Sequence, residues 1–292
     1  MTTPRLSQII KGDDVHSSAQ PSIVPDMPAV PTLLEPKRRE MPAVVISILS
    51  VVALVLLWIA ISTSGWLTPG YLPTPAEMGA ELKLLFVSGY KGISIWQHIG
   101  ISLFRTLMGF VLGIAVGIPL GLITGYTRIG SAMVSPIMAF IRPIPPIAFI
   151  PMVVLYFGLG EVGKVVLIFW TAFNYVHVNA HAGAANVPIA YLRAAQSIGL
   201  TRSQTFFRVV LPSAIPHIFT GLKVAMALSW AVVVAAELTG AQSGLGFMIS
   251  DAAQTFRIPI VFIGIGLIGA IGLLLNVALN VAETSLVHWK GR

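Results

Sequence analysis

Long runs of apolar residues constrain this chain more than any other feature of its sequence. Five of them cover residues 41–64, 106–126, 165–185, 214–236 and 258–282. A helix needs about 20 residues to cross the hydrocarbon core of a bilayer, and each run is long enough. The chain is 55% apolar and 10% charged, whereas soluble domains contain roughly 25% charged residues. The runs therefore predict transmembrane helices.

A sixth apolar segment, residues 129–159, contains Arg142 and several prolines: Pro136, Pro143, Pro145, Pro146 and Pro151. Proline removes a backbone donor and clashes with the preceding turn, so we expect this helix to be kinked or partly unwound. The sequence thus predicts an all-α membrane protein with about six transmembrane helices. It predicts a disordered cytoplasmic tail over residues 1–36 and a transmembrane domain over residues 37–292. The stretch from Gly65 to about His98 is interpreted as an exposed loop with a short interfacial helix near residues 77–87.

The distribution of lysine and arginine predicts the orientation of the chain, because cytoplasmic loops are enriched in both. With the N-terminus inside, the outer segments hold four basic residues, Lys83, Lys91, Lys164 and Arg257. The inner segments then hold eleven, namely Arg5, Lys11, Lys37, Arg38, Arg39, Arg128, Arg193, Arg202, Arg208, Lys290 and Arg292. Both termini are therefore predicted to be cytoplasmic. Because the basic residues are scattered between apolar runs, no nucleic-acid partner is expected, and the excess charge is explained by the lipid bilayer.

Glycine recurs at every fourth position of the second predicted helix, at Gly109, Gly113, Gly117, Gly121 and Gly125. These residues share one helix face, where a neighbouring backbone can approach closely. We interpret the stripe as a helix-packing face, with a glycine-lined pore as the alternative.

Two apparent motifs lack the residues that their chemistry requires. Gly158, Gly163 and Lys164 have the spacing of a phosphate loop, but Val165 stands where a hydroxyl must ligate magnesium, and no soluble strand precedes them. His177 and His181 have the spacing of a zinc-binding HExxH motif without its glutamate. With no cysteine in the chain, no metal site and no catalytic residues are predicted, and any energy from ATP must come from a partner.

The loop between the fourth and fifth predicted helices, residues 187–212, has a distinctive pattern. A short helix is followed by a break at Gly199, a second amphipathic helix, and an expected proline stop at Pro212 and Pro216. An ordinary surface-lying helix pair would explain this pattern. The loop also places eight residues in one frame: Tyr191, Ala194, Ala195, Gly199, Phe206, Val209, Leu211 and Pro212.

That frame resembles the EAA motif of ABC importer permeases, in which two alanines, a glycine and a distal Leu-Pro form helices that dock on the ATPase. The resemblance covers most of the chain, including RPIPPIAFIPMVVLYFGLG at residues 142–160 and AAELTGAQSGLGFMI at residues 235–249. These segments look like the taurine, alkanesulfonate and nitrate branch, and the ending VHWKGR favours taurine. One departure is Arg193, which stands where the family usually has an acid, so a salt bridge from there to a basic ATPase residue is not expected.

The resemblance implies a MetI-like type I permease that imports taurine or a related small sulfonate by alternating access. It implies a homodimer, two cytoplasmic ATPase subunits that bind ATP and magnesium, and an extracytoplasmic binding protein, with no cofactor in this chain. The implied coupling residues are Ala194, Ala195, Gly199, Arg202 and Pro212. Nitrate or another small solute is the alternative substrate.

Ionisable residues inside a membrane are costly unless they are paired or face water. Glu237 is the only acid near the outer end of the fifth predicted helix, and Arg142 and Arg105 are its candidate partners. Either it forms a structural ion pair, or it lines the translocation path. Candidate path residues are Arg142, Glu237, Thr239, Gln242 and Ser243, and weak recognition of an anion is expected from Arg142, Thr239, Gln242 and Ser243.

Two other classes of function remain as rivals. A secondary transporter or channel would need no ATPase and is favoured by inverted repeats or paired intramembrane acids, neither of which is evident. A membrane-embedded enzyme would need a convergent acid, base or metal site, which His177 and His181 do not supply. Co-purification of an ATPase would separate these alternatives.

Overall fold

Helices account for nearly all of the structure, a computed structural model that describes residues 43–66 and 70–287. The predicted tail, residues 1–36, lies outside the described residues. The chain divides into two units, residues 1–51 and residues 52–292. The described part of the first unit is the beginning of helix α1 (Ala43–Thr63), and its side chains from Val44 onward are exposed. Such uniform exposure suits an apolar helix whose faces meet lipid.

The elements of the second unit that follow α1 are helices joined by short loops. They are α2 (Pro75–Ser88), α3 (Ile95–Tyr126), α4 (Arg128–Ile141), a 3₁₀ turn (Pro146–Phe149), α5 (Ile150–Phe157), α6 (Glu161–Ala185), α7 (Ile189–Ser197), α8 (Arg202–Thr205), a π-helical segment (Phe206–Val210), α9 (Leu211–Leu238), α10 (Leu245–Gln254) and α11 (Ile258–Leu286). The all-α fold is therefore confirmed.

Within the described ranges, four helical segments are long and apolar enough to span a membrane: Val44–Thr63, Ile95–Tyr126, Arg202–Leu238 and Ile258–Leu286. A fifth span is possible if α4 and the following Pro146–Phe157 segment count as one, bent by 84°. The bend lies at the prolines after Arg142, as expected for a proline-broken helix. Helix α6, the predicted fourth span, is less apolar, and it packs mainly against α3 and α9. A helix inside a bundle can carry polar side chains that a lipid-facing helix cannot.

Helix α3 begins eleven residues before the predicted start at Thr106, so the prediction of a loop reaching His98 is wrong. Ser94 caps the helix, since its side chain and that of Gln97 form a reciprocal capping box. The first turns of α3 contain His98 and Arg105, both buried. These polar residues interrupted the apolar run on which the sequence prediction depended.

The predicted proline stop after the coupling segment is also wrong. Helix continues from Arg202 through the π-helical segment and α9 to Leu238, and Pro212 and Pro216 lie inside this stretch. The π-helical segment directly precedes Pro212, in the first turn of α9. Irregular turns of this kind accommodate the donor that proline lacks, so the helix continues past Pro212.

The five glycines of α3 face α6 across a very close helix contact. A β-carbon added to Gly113 would lie 2.5 Å from the β-carbon of Ala172, and one added to Gly109 would lie 2.6 Å from that of Ile168. At Gly121 and Gly125 the same carbon would meet the main-chain carbonyl oxygens of α6. Real side chains do not approach this closely, so the two backbones touch where only glycine fits.

Candidate functional site

A buried network of charges joins the beginning of α3, the beginning of α6 and the end of α9. The side chain of Glu237 is 0% exposed, and its carboxylate lies 2.7 Å from Nη1 of Arg105. The other edge of the same guanidinium donates two hydrogen bonds to Glu161, one from Nε to Oε2 at 2.5 Å and one from Nη2 to Oε1 at 2.6 Å. Lys164 then lies 3.3 Å from Glu161. One arginine therefore balances a fully buried acid and a partly exposed one.

Neutral donors complete the coordination of Glu237. The hydroxyl of Ser102 lies 2.8 and 2.9 Å from its two oxygens, and the amide of Gly246 donates at 2.9 Å. Arg105 also donates to the carbonyl of Ser243 at 2.8 Å. A buried carboxylate is tolerated when it is paired and its remaining lone pairs are filled, and both conditions hold here.

Gly244 is a position of this network at which a side chain does not fit. Its φ of +115° is rarely adopted by other residues, and an added β-carbon would overlap the carboxylate of Glu237. Its amide donates to Nδ1 of His98 at 3.1 Å. Sequence reasoning missed His98, Ser102 and Gly244, whose partners lie more than 130 residues away along the chain.

The predicted path residues do not form one site in the structure. Arg105, not Arg142, is the partner of Glu237, so the geometry supports the ion-pair interpretation of Glu237. Ser243 belongs to the same network through its carbonyl, whereas Thr239 and Gln242 are exposed on the turn after α9. Arg142 is exposed at the end of α4, where it lines a cavity with His177 and His181 of α6.

His177 and His181 share a hydrogen-bond partner on α3. Nε2 of His177 lies 3.2 Å from the hydroxyl of Thr124, and Nδ1 of His181 lies 3.0 Å from it. Nδ1 of His177 has no partner, although the residue is only 1% exposed. Within the described residues, no group of three or more potential metal-binding side chains is assembled around them.

The predicted coupling segment, residues 187–212, folds as two short helices around a glycine turn. Gly199 has a φ of +76°, and Leu200 donates to the carbonyl of Ala195 at 3.0 Å, which is the hydrogen-bond pattern of a Schellman cap. Thr201 then caps α8 through a reciprocal capping box with Gln204. Ala195 is buried, Ala194 and Arg202 are exposed, and Pro212 is half-buried.

Large apolar side chains on this segment remain in contact with solvent. Ile198 is 75% exposed, and Ile189, Tyr191 and Phe207 are exposed by more than half. Arg193, Arg202 and Arg208 are exposed beside them, and residues 187–212 contain no acid. An apolar surface rimmed by one sign of charge is typical of a docking site for a partner with the opposite charge.

Comparison with known proteins gives a consistent picture. Residues 117–288 match the family described as binding-protein-dependent transport system inner membrane component. The chain is 36% identical to the taurine transport system permease protein TauC of Escherichia coli (strain K12), over 85% of this chain and 90% of that protein. It is 31% identical to a putative aliphatic sulfonates transport permease protein, SsuC of Bacillus subtilis (strain 168), with 86% of each chain covered.

A solved structure shares the fold. An inward-facing crystal form of the MetNI methionine ABC transporter superimposes with a TM-score of 0.51 at 21% identity, covering 73% of this chain and 99% of that chain. The predicted MetI-like bundle is thereby confirmed.

Proposed function

Because this chain belongs to the family of binding-protein-dependent transport system inner membrane components, we propose that it carries taurine or a related small sulfonate across the cytoplasmic membrane. The observation that carries this proposal is its likeness, along most of both chains, to the taurine permease of Escherichia coli. Nitrate or another small solute of the same family is the alternative substrate.

Membership of this family establishes the general function of the chain. The chain is the permease subunit of an ABC importer, a multi-pass protein of the inner membrane and not itself an enzyme. Permeases of this kind assemble with ATPase subunits and a binding protein, carry no cofactor and leave ATP to the partner ATPase. We infer that this chain acts as a homodimer, because one such bundle supplies half of a pathway.

The segment 187–212 is proposed as the surface that docks on the ATPase. Its exposed apolar side chains have no partner surface within the described chain, and its turn is rigidly capped at both sides of Gly199. The three exposed arginines favour a partner groove with acidic side chains. This interpretation needs residues 187–212 to be cytoplasmic, in agreement with the orientation inferred from lysine and arginine.

We infer that alternating access uses the continuous helical stretch that joins the docking segment to the Glu237 network. ATP binding brings the two ATPase subunits together, and the docked segments move with them. Each segment leads through the π-helical turn into α9, which ends at the Glu237 network. We infer that the glycine contact between α3 and α6 keeps these two helices together as one body while other helices move.

Transport by a reconstituted complex tests the proposed substrate. Liposomes that contain the permease, its ATPase and its binding protein should take up labelled taurine when ATP is supplied to the ATPase side. Propane-1-sulfonate and nitrate, tested in the same liposomes, define the selectivity. ATP-dependent uptake of nitrate without uptake of either sulfonate would replace the proposed substrate by the alternative.

A pair of matched substitutions tests the docking surface. Ile198→Asp places a charge on the apolar part of the segment, and Val87→Asp places the same charge on an equally exposed residue, 77%, at the end of α2. The first variant should lose the ATPase during co-purification, whereas the second should retain it. If Ile198→Asp retains the ATPase and full ATP-coupled uptake, docking lies elsewhere.

A further inference from the structure

Two exposed residues of this chain have a strained backbone. Lys91 has a φ of +49° and Phe256 a φ of +56°, and within residues 43–66 and 70–287 no other residue except glycine has a positive φ. A bulky residue rarely adopts this region, because its β-carbon crowds the backbone. The side chain of Lys91 is 54% exposed, and Phe256 is 85% exposed. Backbone strain is typically retained at functional sites.

Phe256 occupies the position after α10 at which many helices end in glycine. Its amide donates to the carbonyl of Ala253 at 3.2 Å, and the amide of Arg257 donates to the carbonyl of Ala252 at 2.8 Å. These two bonds form a Schellman cap, with Phe256 at its left-handed position. Glycine would adopt this conformation without strain. Packing inside the chain does not explain the phenylalanine, because its side chain is exposed.

A chain of contacts joins the two strained residues. The guanidinium of Arg257, which follows Phe256, lies 5.6 Å from the centre of the Tyr90 ring. The hydroxyl of Tyr90 donates to one oxygen of Asp251 at 2.6 Å, and Nζ of Lys91 pairs with the other oxygen at 2.6 Å. The two strained residues therefore belong to one surface, formed by residues 253–257 together with Tyr90 and Lys91. We call it the Phe256 surface.

The charges of the Phe256 surface are arranged with the cations outward. Lys91 pairs with Asp251, and Arg257 pairs with Glu81. The two cationic side chains are 54% and 50% exposed, whereas each of the two acidic side chains is 19% exposed. The surface thus presents an exposed aromatic ring beside two outward cations. Such a surface is complementary to a protein that offers an apolar pocket with acidic side chains around it.

Helix α3 separates the Phe256 surface from the segment 187–212. Tyr90 and Lys91 lie just before α3 begins at Ile95. At the other end of the helix, the hydroxyl of Tyr126 donates to the carbonyl of Arg202 at 3.2 Å. The 32 residues of α3 extend roughly 48 Å at 1.5 Å per residue, and the hydrocarbon core is about 30 Å thick. A membrane-spanning α3 therefore places the two surfaces on opposite sides of the bilayer.

We propose that the Phe256 surface docks the extracytoplasmic binding protein, an inference that rests on the proposed docking of the ATPase at residues 187–212. Phe256 inserts into an apolar pocket of the binding protein, and Lys91 and Arg257 face carboxylates at the rim of that pocket. Aromatic side chains are common anchors of protein interfaces. All of residues 253–257 are exposed and most of them are polar, so this surface suits water and a protein partner better than lipid chains.

Phe256→Gly separates docking from folding, because the two effects have opposite signs. Without the strain, the Tm of the purified permease in detergent should rise by a few degrees. The Kd for the purified binding protein should nevertheless increase at least about tenfold, measured by surface plasmon resonance on the permease–ATPase complex in lipid nanodiscs. A more stable variant that binds less well cannot be explained by misfolding. An unchanged Kd would overturn the proposal and leave Phe256 as an anchor for lipid headgroups.

Three further variants act as controls and test the charges. Phe256→Tyr keeps an aromatic ring on the surface and should retain binding. Phe104→Ala removes a ring that is 62% exposed on α3 and should leave the Kd unchanged. Lys91→Asn introduces a residue that tolerates positive φ and removes one outward cation. It should slow association and reduce the dependence of the association rate on salt, and an unchanged salt dependence would contradict the acidic rim.

The outcomes distinguish this proposal from the proposed function. If Phe256→Gly retains the binding protein while liposomes take up taurine, the docking surface is wrong and the proposed substrate stands. If liposomes take up no taurine while Phe256→Gly loses the binding protein, the surface stands and the proposed substrate is wrong. If Ile198→Asp releases the binding protein and retains the ATPase, both docking assignments fail.

Discussion

Replacing Gly113 by alanine tests the contact between α3 and α6. The added β-carbon would lie 2.5 Å from that of Ala172 and 2.8 Å from the amide nitrogen of Phe173. Carbon atoms prefer separations of about 3.5–4.0 Å, so the helices must part by roughly 1 Å or more. Overpacking of this kind costs about 1–3 kcal/mol.

The matched control is Gly100→Ala, on the same helix, where an added β-carbon meets nothing within 4 Å. Alanine is favoured over glycine inside a helix by about 1 kcal/mol, and both variants gain this term equally. The difference between the variants therefore isolates the overlap. Thermal unfolding of the purified permease in detergent should give a lower Tm for Gly113→Ala than for Gly100→Ala, by roughly 2–4 °C for each kcal/mol. Equal Tm values would refute the close contact.

Three further predictions concern the Glu237 network and the hydrogen-bonded carboxylate of Asp251. Arg105→Gln should destabilise the fold by about 3–5 kcal/mol because it leaves Glu237 buried and unpaired, and adding Glu237→Gln should restore part of the lost Tm. Gly244→Ala should lower the Tm strongly, since it combines a strained φ of +115° with overlap on that carboxylate. Hydrogen bonds from Lys91 and from a tyrosine hydroxyl lower the pKa of Asp251 below its ordinary value of 3.8. Its stabilisation is therefore present above that value and lost as the pH falls through the lower folded-state pKa, and Asp251→Asn should remove this part of the acid dependence of Tm.

Each of these three has a contradicting result. No rescue by the double variant would show that the arginine acts by packing and not by charge. An unchanged Tm for Gly244→Ala would mean that the turn after α9 adapts to a side chain. A parallel acid dependence of the unchanged protein and Asp251→Asn, followed by unfolding between pH 2 and 6, would assign the acid sensitivity to other groups.

The limits of sequence reasoning are clearest in α3. The glycine stripe could be recognised because a four-residue period is local to one helix. The start of the helix at Ile95 could not, because His98 and Arg105 looked incompatible with an apolar span. Their polarity is balanced by Gly244 and Glu237, which are distant along the chain, and such pairing is a property of the tertiary structure alone.

The coupling segment shows the same division. Its break at Gly199 follows from local chemistry, since a glycine ends α7 in a left-handed turn. The stop expected at Pro212 failed because tertiary packing retains the helix and a π-helical turn absorbs the missing donor. The unpaired Nδ1 of His177 could not be predicted at all, because it depends on which neighbours that side chain already contacts.

The continuous helical stretch from Arg202 to Leu238, with its π-helical turn, has a mechanical consequence. Beyond the π-helical turn, α9 has 28 residues and forms an arm of roughly 42 Å at 1.5 Å per residue. A stiff arm of this length converts a tilt of about 10° at one end into a displacement of roughly 7 Å at the other. The π-helical turn near its base is the natural fulcrum, so small angular steps of an attached motor would be magnified at the far side of the membrane. Stiffening that turn should change the stroke without altering either end of the arm.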